Sequence, residues 1–115
     1  MHEMGIVLDV VKKMDAFAEA NHIPQIHTVV MSVGELSALE PPYFVSCWEY
    51  AASRSDHLVN CGVRIDPVPG IAKCMVCGEE FNLEQNDEIC PKCKSEKWRI
   101  ISGREVMIKE VLVEE

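Results

Sequence analysis

Two cysteine pairs, Cys74-Met-Val-Cys77 and Cys90-Pro-Lys-Cys93, constrain this chain more than any other feature of its sequence. Two residues between thiolates bring both sulfurs to one side of a tight turn, so each pair can grip one metal ion. Two such turns facing each other supply the four tetrahedral ligands that zinc takes. Gly78 directly follows Cys77 and suits the left-handed backbone of such a knuckle, and Pro91 stiffens the second turn. No histidine lies between residues 58 and 115, so the predicted site is saturated by Cys74, Cys77, Cys90 and Cys93 alone. A zinc ion with four protein ligands keeps no open position for water, which makes it structural and not catalytic. A pair of disulfides and a rubredoxin-like iron site are the competing uses of this spacing. Iron would colour the protein and zinc would not.

A ribbon of roughly residues 72–99 is too short to fold on an apolar core and depends on its metal. The remainder of the 115 residues, at 48% hydrophobic composition, suffices for one modest domain. The formal net charge is -8, and four thiolates outweigh one zinc ion, so metal loading makes the chain more acidic still. Such a balance repels phosphates and speaks against a nucleic-acid-binding ribbon. Lys73, Lys92, Lys94, Lys97 and Arg99 nevertheless give the ribbon a local basic patch. No apolar run approaches the ~20 residues of a membrane span. The first 20 residues lack the basic segment and small-residue cleavage site of a secretory leader. A cytoplasmic location follows as the expectation, and it keeps thiols reduced. No nucleophile–base pair, Gly-rich phosphate loop or open metal site marks an enzyme. Ser37 and Ser46 read as ordinary polar residues.

Residues 3–21 read as an amphipathic helix, with Val7, Val10, Val11, Met14, Phe17 and Ala18 at three- and four-residue steps. Lys12, Lys13, Asp15 and Glu19 fall on the wet face, and Asn21-His22 with Pro24 stop the helix. Residues 26–33 are rich in β-branched side chains and read as a strand ended by Gly34. Pro41-Pro42 opens a second helix, where Phe44, Cys47, Trp48 and Ala51 form the apolar stripe and Cys47 is a small buried hydrophobe. Residues 63–68 make a short strand, and residues 105–113 make a last, half-buried one. Cys61 has no partner in the nearby sequence. The expected fold is α/β (α+β): a small three-stranded sheet carrying two helices, with the four-cysteine ribbon inserted before the final strand and projecting from one end. Pro69-Gly70 and Ser102-Gly103 mark the boundaries. One domain then comprises residues 1–69 and 103–115, and the ribbon comprises residues 70–102.

The amino terminus, Met1-His2-Glu3, is the second unusual feature. A free α-amine, amide nitrogens and an imidazole lie within two residues. The Met1 amine and His2 amide close a five-membered chelate, and the His2 amide and imidazole close a six-membered one. Nitrogen donors in a plane favour Ni(II) or Cu(II). First-turn amides of a helix have no acceptor within it, so a metal that uses them breaks no helical bond. Such an amide must lose its proton, so binding should weaken in acid. The plain alternatives are a solvated terminal histidine and a Glu3 that suits the positive end of a helix dipole. His22, His27 and His57 sit at a helix end, a strand start and a connector, and read as secondary ligands at most.

Together these features resemble the HypA/HybF family of nickel metallochaperones over essentially the whole chain. The resemblance rests on Met1-His2-Glu3, Val33-Gly34-Glu35-Leu36-Ser37, Pro67-Val68-Pro69-Gly70, the two cysteine pairs and the final strand. It implies a non-enzymatic carrier that delivers nickel for maturation of [NiFe] hydrogenase, and in some organisms of urease. It implies a nickel site at Met1, His2 and Glu3, with His2 the essential ligand and Glu3 contributing an amide. It assigns zinc to Cys74, Cys77, Cys90 and Cys93, and residues 1–69 with 103–115 become the nickel-binding domain. The implied partners are a HypB-type GTPase, the hydrogenase large subunit and urease accessory proteins, with no nucleic acid and no membrane. A homodimer sharing one nickel is compatible with the sequence. One departure stands out: no histidine lies in or beside this ribbon, so a nickel contact from a ribbon histidine is ruled out. The alternative reading is a zinc-ribbon module for protein interaction or nucleic-acid binding, without nickel.

Overall fold

A computed structural model describes residues 3–113. Its elements run α1 (Glu3–Ala20), β1 (Thr28–Gly34), α2 (Pro41–Ala52), β2 (Gly62–Val68), β3 (Ile71–Cys74), β4 (Glu80–Asn82), a 3-10 turn (Glu84–Asn86), β5 (Trp98–Ser102) and β6 (Val106–Leu112). The strands form two three-stranded sheets, ordered β2-β1-β6 and β4-β3-β5. The chain divides into two compact units. One comprises residues 1–32, 38–66 and 107–115, and the other residues 33–37 and 67–106.

The first unit holds both helices. Val7, Val10, Met14 and Ala18 of α1 are buried, as the three- and four-residue spacing predicts. Phe17 is not: it is 40% exposed and lies beside the stripe, not on it. The helix ends through a left-handed residue. His22 has φ 55°, its N–H donates to the Glu19 carbonyl, and the Ile23 N–H donates to the Ala18 carbonyl. This pair of bonds is the Schellman termination, here made by a histidine where glycine is the usual choice. α2 opens on Pro41-Pro42, packs against α1, and buries Phe44, Cys47, Trp48, Ala51 and Ala52. Trp48 is fully buried and its indole N–H donates to the Cys61 carbonyl at 2.9 Å, so its polar atom is satisfied. The central strand β1 adds Val29, Val30 and Met31 to the buried set.

The second unit is built on β3, which pairs antiparallel with β4 on one side and β5 on the other. The register sets Ala72 opposite Phe81 and Ile100, and Cys74 opposite Trp98. Its core is small: Ala72, Cys74, Phe81, Leu83 and Cys90 are buried, with Leu36, Trp98 and Ile100 partly buried around them. Glycines allow close backbone approach at its base. A Cβ on Gly34 would fall 1.9 Å from the Gly103 carbonyl oxygen, and one on Gly103 would fall 2.5 Å from the Gly70 Cα. Both sheets and both helices agree with the expected α/β class. The ribbon's own three strands are the addition.

Candidate metal centre

Cys74 ends β3, and residues 75–78 turn back toward β4. The Cys74 N–H donates to the Glu79 carbonyl, and the Gly78 N–H donates to the Cys74 carbonyl. Gly78 holds φ 81° with open space around it, the left-handed backbone its position demands. The second pair repeats this pattern. The Cys90 N–H donates to the Ser95 carbonyl, the Lys94 N–H donates to the Cys90 carbonyl, and Lys94 takes φ 67° where the first turn has glycine. Two turns of one design therefore present two sulfurs each.

The four Sγ atoms all lie within 4.8 Å of one another, the only such group of His, Cys, Asp or Glu among the described residues. Two close contacts run between turns: Cys74 to Cys93 at 3.5 Å and Cys77 to Cys90 at 3.6 Å. Four sulfurs about 2.3 Å from one tetrahedral ion stand about 3.8 Å apart, so this cluster fits a metal site with four thiolate ligands. Cys74 and Cys90 are buried, while Cys77 and Cys93 are exposed. The Val76 and Cys77 amides point at the Cys74 sulfur from 3.4 and 3.5 Å. The Cys77 amide, with help from Val76, brings the Cys74 thiol down to about 6. At Cys93 a Ser95 backbone hydrogen bond pulls the other way, yet burial and the neighbouring sulfurs push that thiol up to about 12. Four thiolates would not share so small a space without a cation, so these four cysteines form a group that could hold a metal ion.

The terminal donor set falls differently. Met1 and His2 lie outside the described residues, and Glu3 is the first residue described. Glu3 is buried at 4% exposure, and its Oε2 accepts the Glu40 N–H at 3.0 Å. Its side chain is thus committed to the entry of α2, a role that helix-dipole reasoning alone missed. Of the three histidines described, His22 caps α1. His27 Nδ1 meets the Thr28 hydroxyl at 2.7 Å. His57 lies 2.7 Å from the Glu19 carboxylate and 3.2 Å from the Pro24 carbonyl, beside a hollow of about 350 Å³ that Asp15, Ala16, Glu19 and Asp56 also line. The two cysteines outside the cluster, Cys47 and Cys61, are buried, and desolvation raises the Cys61 thiol to about 11.

Glu35 carries a role that the sequence did not disclose. Its Oε1 accepts the Gly70 N–H at 2.8 Å and the Asn82 side-chain N–H at 3.3 Å, tying residues 33–37 to the base of the ribbon. The signal available was its place directly after Gly34, at a strand end where a polar side chain can reach neighbouring backbone.

Comparison with known proteins places these features together. A family model described as "Hydrogenase/urease nickel incorporation, metallochaperone, hypA" matches residues 1–113. The hydrogenase maturation factor HypA of Trichormus variabilis is 36% identical over 115 residues, covering 100% of this chain and 97% of the relative. The HypA of Nostoc sp. is 34% identical with the same coverage. The solution structure of the Ni metallochaperone HypA from Helicobacter pylori superposes with a TM-score of 0.70 at 25% identity, covering 98% of this chain and 97% of that one. A second HypA solution structure superposes with a TM-score of 0.74 at 26% identity, covering 98% and 96%.

Proposed function

The chain belongs to the HypA family of hydrogenase/urease nickel-incorporation metallochaperones, and from that premise we propose that it binds Ni(II) through Met1, His2 and Glu3 and holds a structural zinc on Cys74, Cys77, Cys90 and Cys93. As a metallochaperone it carries metal to another protein and is not an enzyme. Nickel is its cargo and zinc its resident ion. The observation that carries this reading is the family match across residues 1–113, which takes in both the Met-His-Glu start and the cysteine cluster.

The donor chemistry supports the division of labour. Nitrogen donors at the chain start suit Ni(II), and four thiolates suit zinc. Glu3 itself is held in place: its buried carboxylate accepts the Glu40 N–H and ties the first turn of α1 to the entry of α2. A few nitrogens on a chain end let an acceptor take over ligands one at a time, where a closed cage would trap the metal. Delivery proceeds with a HypB-type GTPase to the hydrogenase large subunit, and urease accessory proteins are a further route. The setting is cytoplasmic, and a homodimer is the assembly in which two chains would share one nickel.

Calorimetric titration of nickel into zinc-loaded protein with a native amino terminus, beside the His2→Ala variant, tests the reading. Binding lost in the variant with zinc content unchanged supports it. Equal binding by both proteins, or none by either, overturns the terminal site. Zinc content below one ion per chain, measured by elemental analysis, overturns the zinc assignment independently.

A further inference from the structure

We infer that the ribbon is a peroxide-modification site in which exposed Cys93 and Cys77 are oxidised first and buried Cys74 and Cys90 resolve them into cross-turn disulfides. The inference rests on the metal reading above for the thiolate state of its sulfurs and for its zinc-release signal. The observation behind it is an asymmetry. Each of the two short sulfur contacts joins one exposed cysteine to one buried cysteine: Cys93 to Cys74 at 3.5 Å, and Cys77 to Cys90 at 3.6 Å. Neither short contact lies within a Cys-x2-Cys turn.

Oxidation of sulfur follows thiolate character and access. Metal coordination keeps the sulfurs as thiolates. Exposure then separates them, because a small oxidant arriving from water meets residues 77 and 93 before residues 74 and 90. In the first step the Cys93 sulfur attacks hydrogen peroxide: the S–O bond forms, the O–O bond breaks and hydroxide leaves. In the second step the Cys74 sulfur attacks the sulfenic sulfur: the S–S bond forms, the S–O bond breaks and a second hydroxide leaves. The two sulfurs give up two electrons together, and peroxide takes both. Cys77 and Cys90 repeat the sequence with a second peroxide. Closing either gap to the ~2.0 Å of a disulfide brings the two sulfurs about 1.5 Å closer. Two joined sulfurs no longer offer zinc its tetrahedral set, so the ion leaves, while the new bond staples the two turns that the metal had held. Cys47 and Cys61 serve as internal controls, since both are buried at 4% and 7% exposure and have no sulfur contact among the described residues.

The test adds hydrogen peroxide to the full-length, zinc-loaded chain, follows released zinc with a chromogenic chelator, and maps disulfides by non-reducing peptide mass spectrometry. The expected result is full loss of zinc together with Cys74–Cys93 and Cys77–Cys90 linkages, while Cys47 and Cys61 still alkylate as thiols after denaturation. Thiol reductant plus zinc should restore the starting metal content. Linkages confined to Cys74–Cys77 and Cys90–Cys93, earlier oxidation of Cys47 or Cys61, or sulfonic acids without disulfides would each overturn the inference. Zinc is measured before peroxide is added. A metal-free starting protein overturns the zinc assignment and with it the thiolate state argued for here, whereas zinc-loaded protein that keeps its zinc and forms no disulfide overturns the modification site alone.

Discussion

In the helical unit, Val7, Val10, Met14, Ile26, Val29, Met31, Phe44, Trp48 and Leu58 are buried, most of them completely. In the ribbon, the buried set is Ala72, Phe81, Leu83 and two cysteines. Each fully buried aliphatic or aromatic side chain contributes about 1.5–3 kcal/mol, so the first unit has several times the apolar stabilisation of the second. The ribbon offsets this with covalent geometry: two turns of one design converge on one point, and two of its five core residues are themselves candidate ligands. The contrast teaches where each unit is vulnerable. The helical unit should fail when its volume is cut, and the ribbon, on the proposed zinc reading, when its metal or its close backbone contacts are lost.

The largest expected effect follows from removing the metal. Structural zinc contributes about 10–16 kcal/mol in small zinc-binding folds, more than three apolar side chains can replace. A strong chelator, or Cys90→Ser, should therefore unfold residues 70–102 and leave the helical unit folded. Amide resonances of β3, β4 and β5 should collapse to the random-coil region while those of α1 and α2 persist. Simultaneous collapse of both sets would break the comparison, because the helical unit would then depend on the ribbon's ion.

A converse effect should appear in the first unit. Trp48→Ala removes a fully buried ring and orphans the Cys61 carbonyl that its indole N–H satisfies. The expected loss is about 3–5 kcal/mol in denaturant unfolding of the helical unit, with zinc content unchanged.

How much of this contrast could be read from sequence depends on the kind of interaction involved. Val7, Val10, Met14 and Ala18 were legible because helical spacing is local. The cysteine turns were legible for the same reason, down to the left-handed Gly78. Phe17 was misplaced in the stripe because one position along a helix turns a side chain by about 100°, enough to move it from core to solvent. Asp15 was assigned to the wet face, yet it accepts a hydrogen bond from Ser55, forty residues away. Glu3 with Glu40 and Glu35 with Gly70 were invisible for the same reason: each pairs groups more than thirty residues apart, and periodicity carries no information about such pairs. The second sheet escaped because β3 and β4 are four and three residues long, too short to show alternation.

Smaller than the Trp48 effect, and confined to the ribbon unit, is the cost of filling its glycine contacts. Gly103→Ala puts a Cβ 2.5 Å from the Gly70 Cα and 2.8 Å from the Pro69 carbonyl oxygen, at φ 103°. Backbone atoms cannot step aside as a flexible side chain can, so the expected cost is about 2–4 kcal/mol. Gly78→Ala is the matched control: its added Cβ meets nothing within 4 Å, and only the left-handed strain of about 1–2 kcal/mol remains. Equal losses from the two variants, measured as chelator concentration at half unfolding, would show that φ and not close approach sets the demand for glycine.

The smallest effect sharpens the picture of the helical unit's surface. His57 presents both ring nitrogens to acceptors, the Glu19 carboxylate and the Pro24 carbonyl, so the doubly protonated imidazolium is the form that donates to both. The Glu19 hydrogen bond first, and the Pro24 carbonyl second, raise its pKa above the ordinary 6.5. A raised folded-state value means that the folded chain holds the proton more tightly than the unfolded one. The contribution to stability is therefore complete below 6.5 and fades as pH climbs through the raised value. Glu19 is largely exposed, so solvent screens the pair and the effect is slight. In Glu19→Gln the His57 titration, followed by imidazole NMR shifts, should move down toward 6.5, and the difference in denaturation midpoint across the titration should shrink. A titration that stays put in Glu19→Gln would transfer the cause to the Pro24 carbonyl. The histidine would then pin the 21–27 connector by its backbone contact alone, independent of the charge on α1.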